Sequence, residues 1–258
     1  MLYDNRIAAA FLEGRPVTEE KHFYLLQEYK EADPKRRDIV QELDSQLESI
    51  VEEFPTFNKE LFEAVFPNYR EQLKTVCIMA VVGTKENRIV KSEEGLCILI
   101  DLIHIADYTR IVSQMTYILQ NYLTFELSKY LIQKQFPVRS RKYLSLLNHL
   151  AFTNGLANYL AWNASCSSYK FYTQKYEAHK ERAFGLLSQA LQVETKALQH
   201  KILVSAVTQE FWNQFPSVAG MFYFDDIYRD LGKEGIVLLY RHGPKISFRR
   251  YFMSEGMI

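Results

Sequence analysis

The residues with the most chemistry to offer are six histidines, His22, His104, His149, His179, His200 and His242. No two stand four apart, so no helix face carries the paired imidazoles of a helical metal site. The three cysteines, Cys77, Cys97 and Cys166, show no Cys-x-x-Cys spacing. Their odd number argues against a disulfide framework, and Cys77 and Cys97, inside apolar runs, read as buried free thiols. Cys166 precedes Ser167 and Ser168, but the sequence assigns it no histidine as a base. Gly83 stands alone, so there is no glycine-rich phosphate loop, and no Gly-x-Ser-x-Gly is present. Asp225-Asp226 is a paired carboxylate that reads as a helix start or a solvated face.

These residues need elements to position them, and the chain supplies mostly helices. Its 258 residues are 48% hydrophobic and 14% aromatic, enough for a substantial core. Residues 1 to 30 read as two short helices broken near Gly14-Arg15-Pro16, with Thr18 as an N-cap. Residues 36–54 form an amphipathic helix with Ile39, Leu43, Leu47, Ile50 and Phe54 on one stripe, closed by Pro55. A further helix spans 58–66. The pattern then changes: Thr75–Val82 (TVCIMAVV) and Gly95–Ile103 (GLCILIDLI) are continuous β-favouring runs, with a short segment at Arg88–Val90 between them. From Arg110 onward the pattern is helical again. It covers Tyr117–Leu131, broken by Pro137, then Arg141–Trp162, then one or two helices over 176–207. After a turn at Phe215-Pro216 a helix runs over 221–231, with Gly232 as its C-cap. The last elements are 235–240 and 247–252, with the Gly243-Pro244 turn between. The expected class is α+β, predominantly helical, with a small β-sheet packed on a central helix at Tyr117–Leu131.

Charge and termini narrow the partners. Lys plus Arg equals Asp plus Glu at 31 each, so the chain has no excess base for nucleic-acid phosphates. The basic clusters Lys35-Arg36-Arg37 and Arg139-Ser140-Arg141-Lys142 read as solvated helix ends. The opening MLYDNRIAAAFLEGRP lacks a basic and then apolar leader, and no run is long enough to span a bilayer. A cytoplasmic protein that binds neither nucleic acid nor membrane is expected.

Three features in order carry a family resemblance: VCIMAVVGTKENRIVKSEEGLCILIDL, then ILQNYLTFEL, then FTNGLANYLAW with PSVAGMFYFDDIYRDLGKEGIVLLY later. This pattern resembles the gluzincin clan of thermolysin-like zinc peptidases, and within it bacterial zinc-dependent protease domains of unknown function. It covers about residues 74–252, as a pattern with few exact identities. The resemblance implies an N-terminal helical region over 1–70 and a metallopeptidase-like domain over 71–258, or one continuous domain. In such proteins a helix after the sheet carries His-Glu-x-x-His, and a second helix supplies a glutamate ligand. Here Asn121 stands at the first histidine, Tyr122 at the general-base glutamate, Phe125 at the second histidine and Asn154 at the third ligand. His149, five residues before Asn154, and Tyr223, in the later aromatic segment, complete the implied cleft.

The implied zinc chemistry needs two imidazoles a turn apart, a carboxylate and an open position for water. Asn and Phe do not replace imidazole, and Tyr122 would be protonated at neutral pH. The resemblance therefore implies an inactive metallopeptidase-like protein, without metal or cofactor, whose cleft takes a peptide, a small ligand or a partner protein. Two alternatives stand beside it: a hydrolase using a different site, and a helical interaction module unrelated to peptidases. Tyr169, Phe171, Tyr172 and Tyr176 form a dense aromatic patch that reads as a groove or partner surface. The sequence sets no oligomeric state.

Overall fold

The computed structural model describes residues 1–15, 32–53, 58–84, 86–92, 95–162, 174–245, 248, 251 and 252. Thr18, His22, Pro55, Cys166 and the aromatic residues Tyr169, Phe171 and Tyr172 lie outside them. The chain forms two compact units, one of residues 1–55 and 68–122, the other of 56–67 and 123–258. The described residues are mostly helical, with one small mixed sheet. Among the described residues no helix is long and apolar enough to cross a membrane.

The first unit holds the sheet. Its strands are β1 (Leu2–Asp4), β2 (Val76–Val81), β3 (Arg88–Ser92) and β4 (Gly95–Asp101), in the order β1-β2-β4-β3. β2 is parallel to both β1 and β4, while β3 runs antiparallel to β4 at the edge. The two apolar runs thus become adjacent central strands. Cys77 and Cys97 are Cα partners across β2 and β4, and both are half-buried rather than buried.

Residues 2–4 form a strand, where a helix was expected. A segment this short carries no period of its own, and pairing with β2 defines it. The helix α1 (Arg6–Leu12) follows, and α2 (Arg37–Glu53) packs against β1 and β2. Val40, fully enclosed, joins the α2 stripe, while Ile39 is only half-buried. The side of α2 also carries Asp44, which accepts hydrogen bonds from Tyr3 Oη (2.5 Å) and Asn5 Nδ2 (3.0 Å). Burial and the Asp44 carboxylate hold the Tyr3 phenol far above its ordinary pKa. The short helix α4 (Tyr69–Gln72), whose Tyr69 is buried, precedes β2.

β4 ends one residue before an unexpected helix, α5 (Leu102–Tyr108). Asp101 is its N-cap and accepts from the Ile103 and His104 amides. The long helix α6 (Val112–Gln135) begins in this unit, where Thr116 donates its hydroxyl to Gln46 of α2.

The second unit contains α3 (Lys59–Val65), the end of α6, α7 (Tyr143–Trp162), α8 (Gln174–Ala190), α9 (Lys196–Thr208) and α10 (Phe215–His242). Its core is the packing of α10 on α7, with α8 and α3 also against α10. Pro216 lies in the first turn of α10, not in a preceding turn, because its missing N–H has no helical partner to lose there. Gly232 has φ 66°, and at that kink the chain leaves and re-enters the helix.

Candidate functional site

The residues implied as a cleft meet different fates. Asn121 and Tyr122 lie on the part of α6 belonging to the first unit; Phe125, His149, Asn154 and Tyr223 belong to the second. Phe125 is half-buried, with the Lys129 ammonium 5.2 Å from its ring centroid, one helical turn away. Lys129 also approaches Glu126 at 3.4 Å, so this face of α6 is occupied by local contacts. Asn154 is half-buried and turned toward α10, where its Nδ2 donates to Ser217 Oγ at 3.2 Å. Ser217 itself is fully enclosed.

Tyr223 is only 5% exposed, and its ring packs edge-on against Phe224, Phe248 and Tyr251. Burial pushes its phenol pKa up to about 12. Next to it, Asp225-Asp226 is neither a helix start nor a solvated face. Asp225 is 3% exposed and pairs with Arg229, while Asp226 accepts from Lys180 Nζ (2.7 Å), Tyr251 Oη (3.0 Å) and Arg229. Burial raises the Asp225 pKa, with Arg229 opposing it. The pair thus anchors α8 and residue 251 onto α10. Arg229 stands at helical spacing from both carboxylates, but the remote partners Lys180 and Tyr251 are beyond what periodicity reveals.

His149 reaches an open space in the second unit. It lines a cavity of about 660 Å³ formed where the α6–α7 connection meets the end of α10. Its imidazole is 9% exposed, and its Nε2 is enclosed with no hydrogen-bond partner. Burial holds its pKa below the ordinary histidine value, so the ring is neutral at pH 7. The adjacent Asn148 also lines the cavity, with Oδ1 enclosed and unpartnered.

The remaining charged lining is one-sided: among the described residues Arg139, Arg241, His242 and Lys245 contribute to the wall, and no Asp or Glu does. The first of these belongs to a basic cluster expected to be a solvated helix end. Gly243 brings the others opposite it. Its φ is 69°, and a Cβ there would lie 2.6 Å from Phe136 Cε1, so glycine lets the turn close on the Phe136 ring. The sequence shows the Gly243-Pro244 turn but not the surface it folds against.

Elsewhere the donor sets for metal are thin. Among the described residues, no three His, Cys, Asp or Glu side chains come together in a way that would hold an ion. Comparison with known protein families, with characterised proteins and with solved structures gives no match for this chain.

Proposed function

We propose that this chain is a non-hydrolytic ligand-binding protein, a metallopeptidase-like fold whose zinc positions have been given over to packing. The carrying observation is Asn154. At the place where the resemblance puts a ligand carboxylate, it is an amide engaged with an enclosed serine across the α7–α10 packing. Amide and phenyl groups at the other positions supply no imidazole for a Lewis-acid centre and no carboxylate base for its water. The peptidase-like ancestry rests on the residue pattern alone. The unpaired cysteines fit a reducing compartment, and we place the protein in the cytoplasm.

Metal analysis of the purified protein tests this reading. The expected result is no stoichiometric zinc and no peptide hydrolysis that a chelator abolishes. One zinc per chain with chelator-sensitive hydrolysis would overturn it. A single substitution sharpens the test. Asn154→Glu is expected to destabilise the protein by about 1–3 kcal/mol, because Ser217 loses its donor and a carboxylate takes its place. Urea unfolding would show this as a lower midpoint that added zinc does not restore. A midpoint raised by zinc would instead mark position 154 as a ligand position.

A further inference from the structure

The cavity at His149 has a chemical character that packing does not explain. Arg241 and His242 occupy the last turn of α10, where cations complement the helix dipole. That accounts for two of the positive or titratable groups. It does not account for Arg139, which arrives from the connection before α7, or for Lys245, beyond the α10 end. None of these side chains makes an ion pair among the described residues. All four are exposed, so water and salt screen part of their mutual repulsion, and an anion seated among them removes the rest.

A second observation is independent of charge. His149 and Asn148 line the cavity, and each also keeps an enclosed polar atom, Nε2 and Oδ1, that has no hydrogen-bond partner. Such atoms lose hydration without compensation, and a leucine at position 149 would remove the loss. A neutral imidazole offers one donor and one acceptor, and an amide oxygen asks for a donor. An occupant that carries hydroxyl or amine groups as well as negative charge would supply the missing partners once these two side chains turn toward it. The volume suits a small molecule larger than a bare ion. Phe136, Val138 and Pro244 supply apolar walls for its body.

We propose that this cavity binds a phosphate ester with a hydroxyl- or amine-bearing body, the phosphate lying among Arg139, Arg241 and Lys245 and the body against His149 and Asn148. A phosphate monoester brings nearly two negative charges and three acceptor oxygens, which three cations can share, and guanidinium forks match its geometry. The proposal names the ligand of the binding protein inferred above and rests on that reading. It fails separately, since the metal and peptidase assays do not depend on it.

Calorimetric titration of the full chain with ribose 5-phosphate, inorganic phosphate and citrate tests it. Saturable binding of ribose 5-phosphate is expected, tighter than inorganic phosphate and at least about tenfold tighter than citrate. Arg139→Gln and Arg241→Gln should each weaken it about tenfold or more, the loss of a charge-assisted hydrogen bond. Lys196→Gln, on the exposed face of α9, should leave it unchanged. His149→Leu supplies a readout that a structural histidine would not give: a higher thermal midpoint without ligand, together with weaker binding. Citrate binding as tightly, with the same dependence on Arg139 and Arg241, would reassign the site to carboxylates. Absence of saturable binding by all three, or equal weakening by Lys196→Gln, would overturn the site. A lowered midpoint in His149→Leu without altered binding would remove His149 from it.

Discussion

Asp101→Ala is expected to destabilise the protein by about 3–5 kcal/mol, the sum of a lost helix cap, a lost hydroxyl bond and an orphaned buried amide. Asp101 is 1% exposed and closes three pieces of chain onto one another. Oδ1 accepts from the Ile103 and His104 amides at 3.0 and 3.2 Å and so starts α5. Oδ2 accepts from the Thr84 amide at 2.6 Å and the Thr84 hydroxyl at 2.9 Å, fixing the turn after β2. The Asp101 amide donates to Asn87 Oδ1 at 2.9 Å. Alanine keeps that last bond and loses the rest. The Thr84 hydroxyl retains the Glu86 carbonyl as an acceptor, but the enclosed Thr84 amide has no replacement for Oδ2. Asp101→Asn keeps one acceptor oxygen for the cap and should cost roughly half as much. Urea unfolding followed by circular dichroism measures both. A loss under about 1 kcal/mol for the alanine variant would mean that this corner is not held as described.

The Asp101 corner also shows where the sequence was legible and where it was not. TVCIMAVV and GLCILID announce strands because β-branched and aliphatic residues run without interruption, and both became central strands. The second run continues as Leu102-Ile103, and hydropathy alone carries the strand past its end. What stops it is a carboxylate folding back on two amides, a local signal outweighed by the apolar run around it. β1 failed for the opposite reason. Three residues define no periodicity, and its partner lies more than seventy positions away. The helix over 37–53 followed its periodicity, because α2 presents one apolar stripe, whereas 143–162 and the pair over 174–190 and 196–208 were legible from their uninterrupted helix-forming composition, α7 being buried nearly all round.

The site was legible only in part, and again for geometric reasons. His149 was singled out by its place on the second helix, and it does line a cavity. Of the cations beside it, Arg139 was visible in the cluster Arg139-Ser140-Arg141-Lys142, read as a solvated helix end, while Arg241 and Lys245 drew no reading. Joining them requires the left-handed turn at Gly243 to meet Phe136, a contact between residues about a hundred positions apart. Tyr223 and Asp225-Asp226 carried little information about their surroundings in the chain itself. Aromatic rings and carboxylates are read as surface or core only once their neighbours are known. Here those neighbours are Phe248, Tyr251, Lys180 and Arg229.

Gly220→Ala should lower stability by about 3 kcal/mol or more, against the gain of up to about 1 kcal/mol that alanine brings to an ordinary helical site. Gly155 on α7 and Gly220 on α10 sit where the two helices touch backbone to backbone. A Cβ at position 220 would lie 1.9 Å from the Ala151 carbonyl oxygen, and one at 155 would lie 2.5 Å from the Gly220 carbonyl carbon. Main chain cannot swing aside as a flexible side chain can, so the helices must separate. Separation loosens the rings wedged along the same crossing, Phe152 against Phe224 at 5.5 Å, and opens space that nothing refills. The midpoint of thermal unfolding should fall by about 6–12 °C, at roughly 2–4 °C for each kcal/mol in a chain of this size. Gly185→Ala is the matched control, because Gly185 is also helical, on α8, and a Cβ there meets nothing within 4 Å. It should raise the midpoint slightly, by helix propensity alone. If the two substitutions instead shift the midpoint alike, α7 and α10 do not approach this closely. The placement of Asn154 against Ser217, which depends on the same approach, would fall with it.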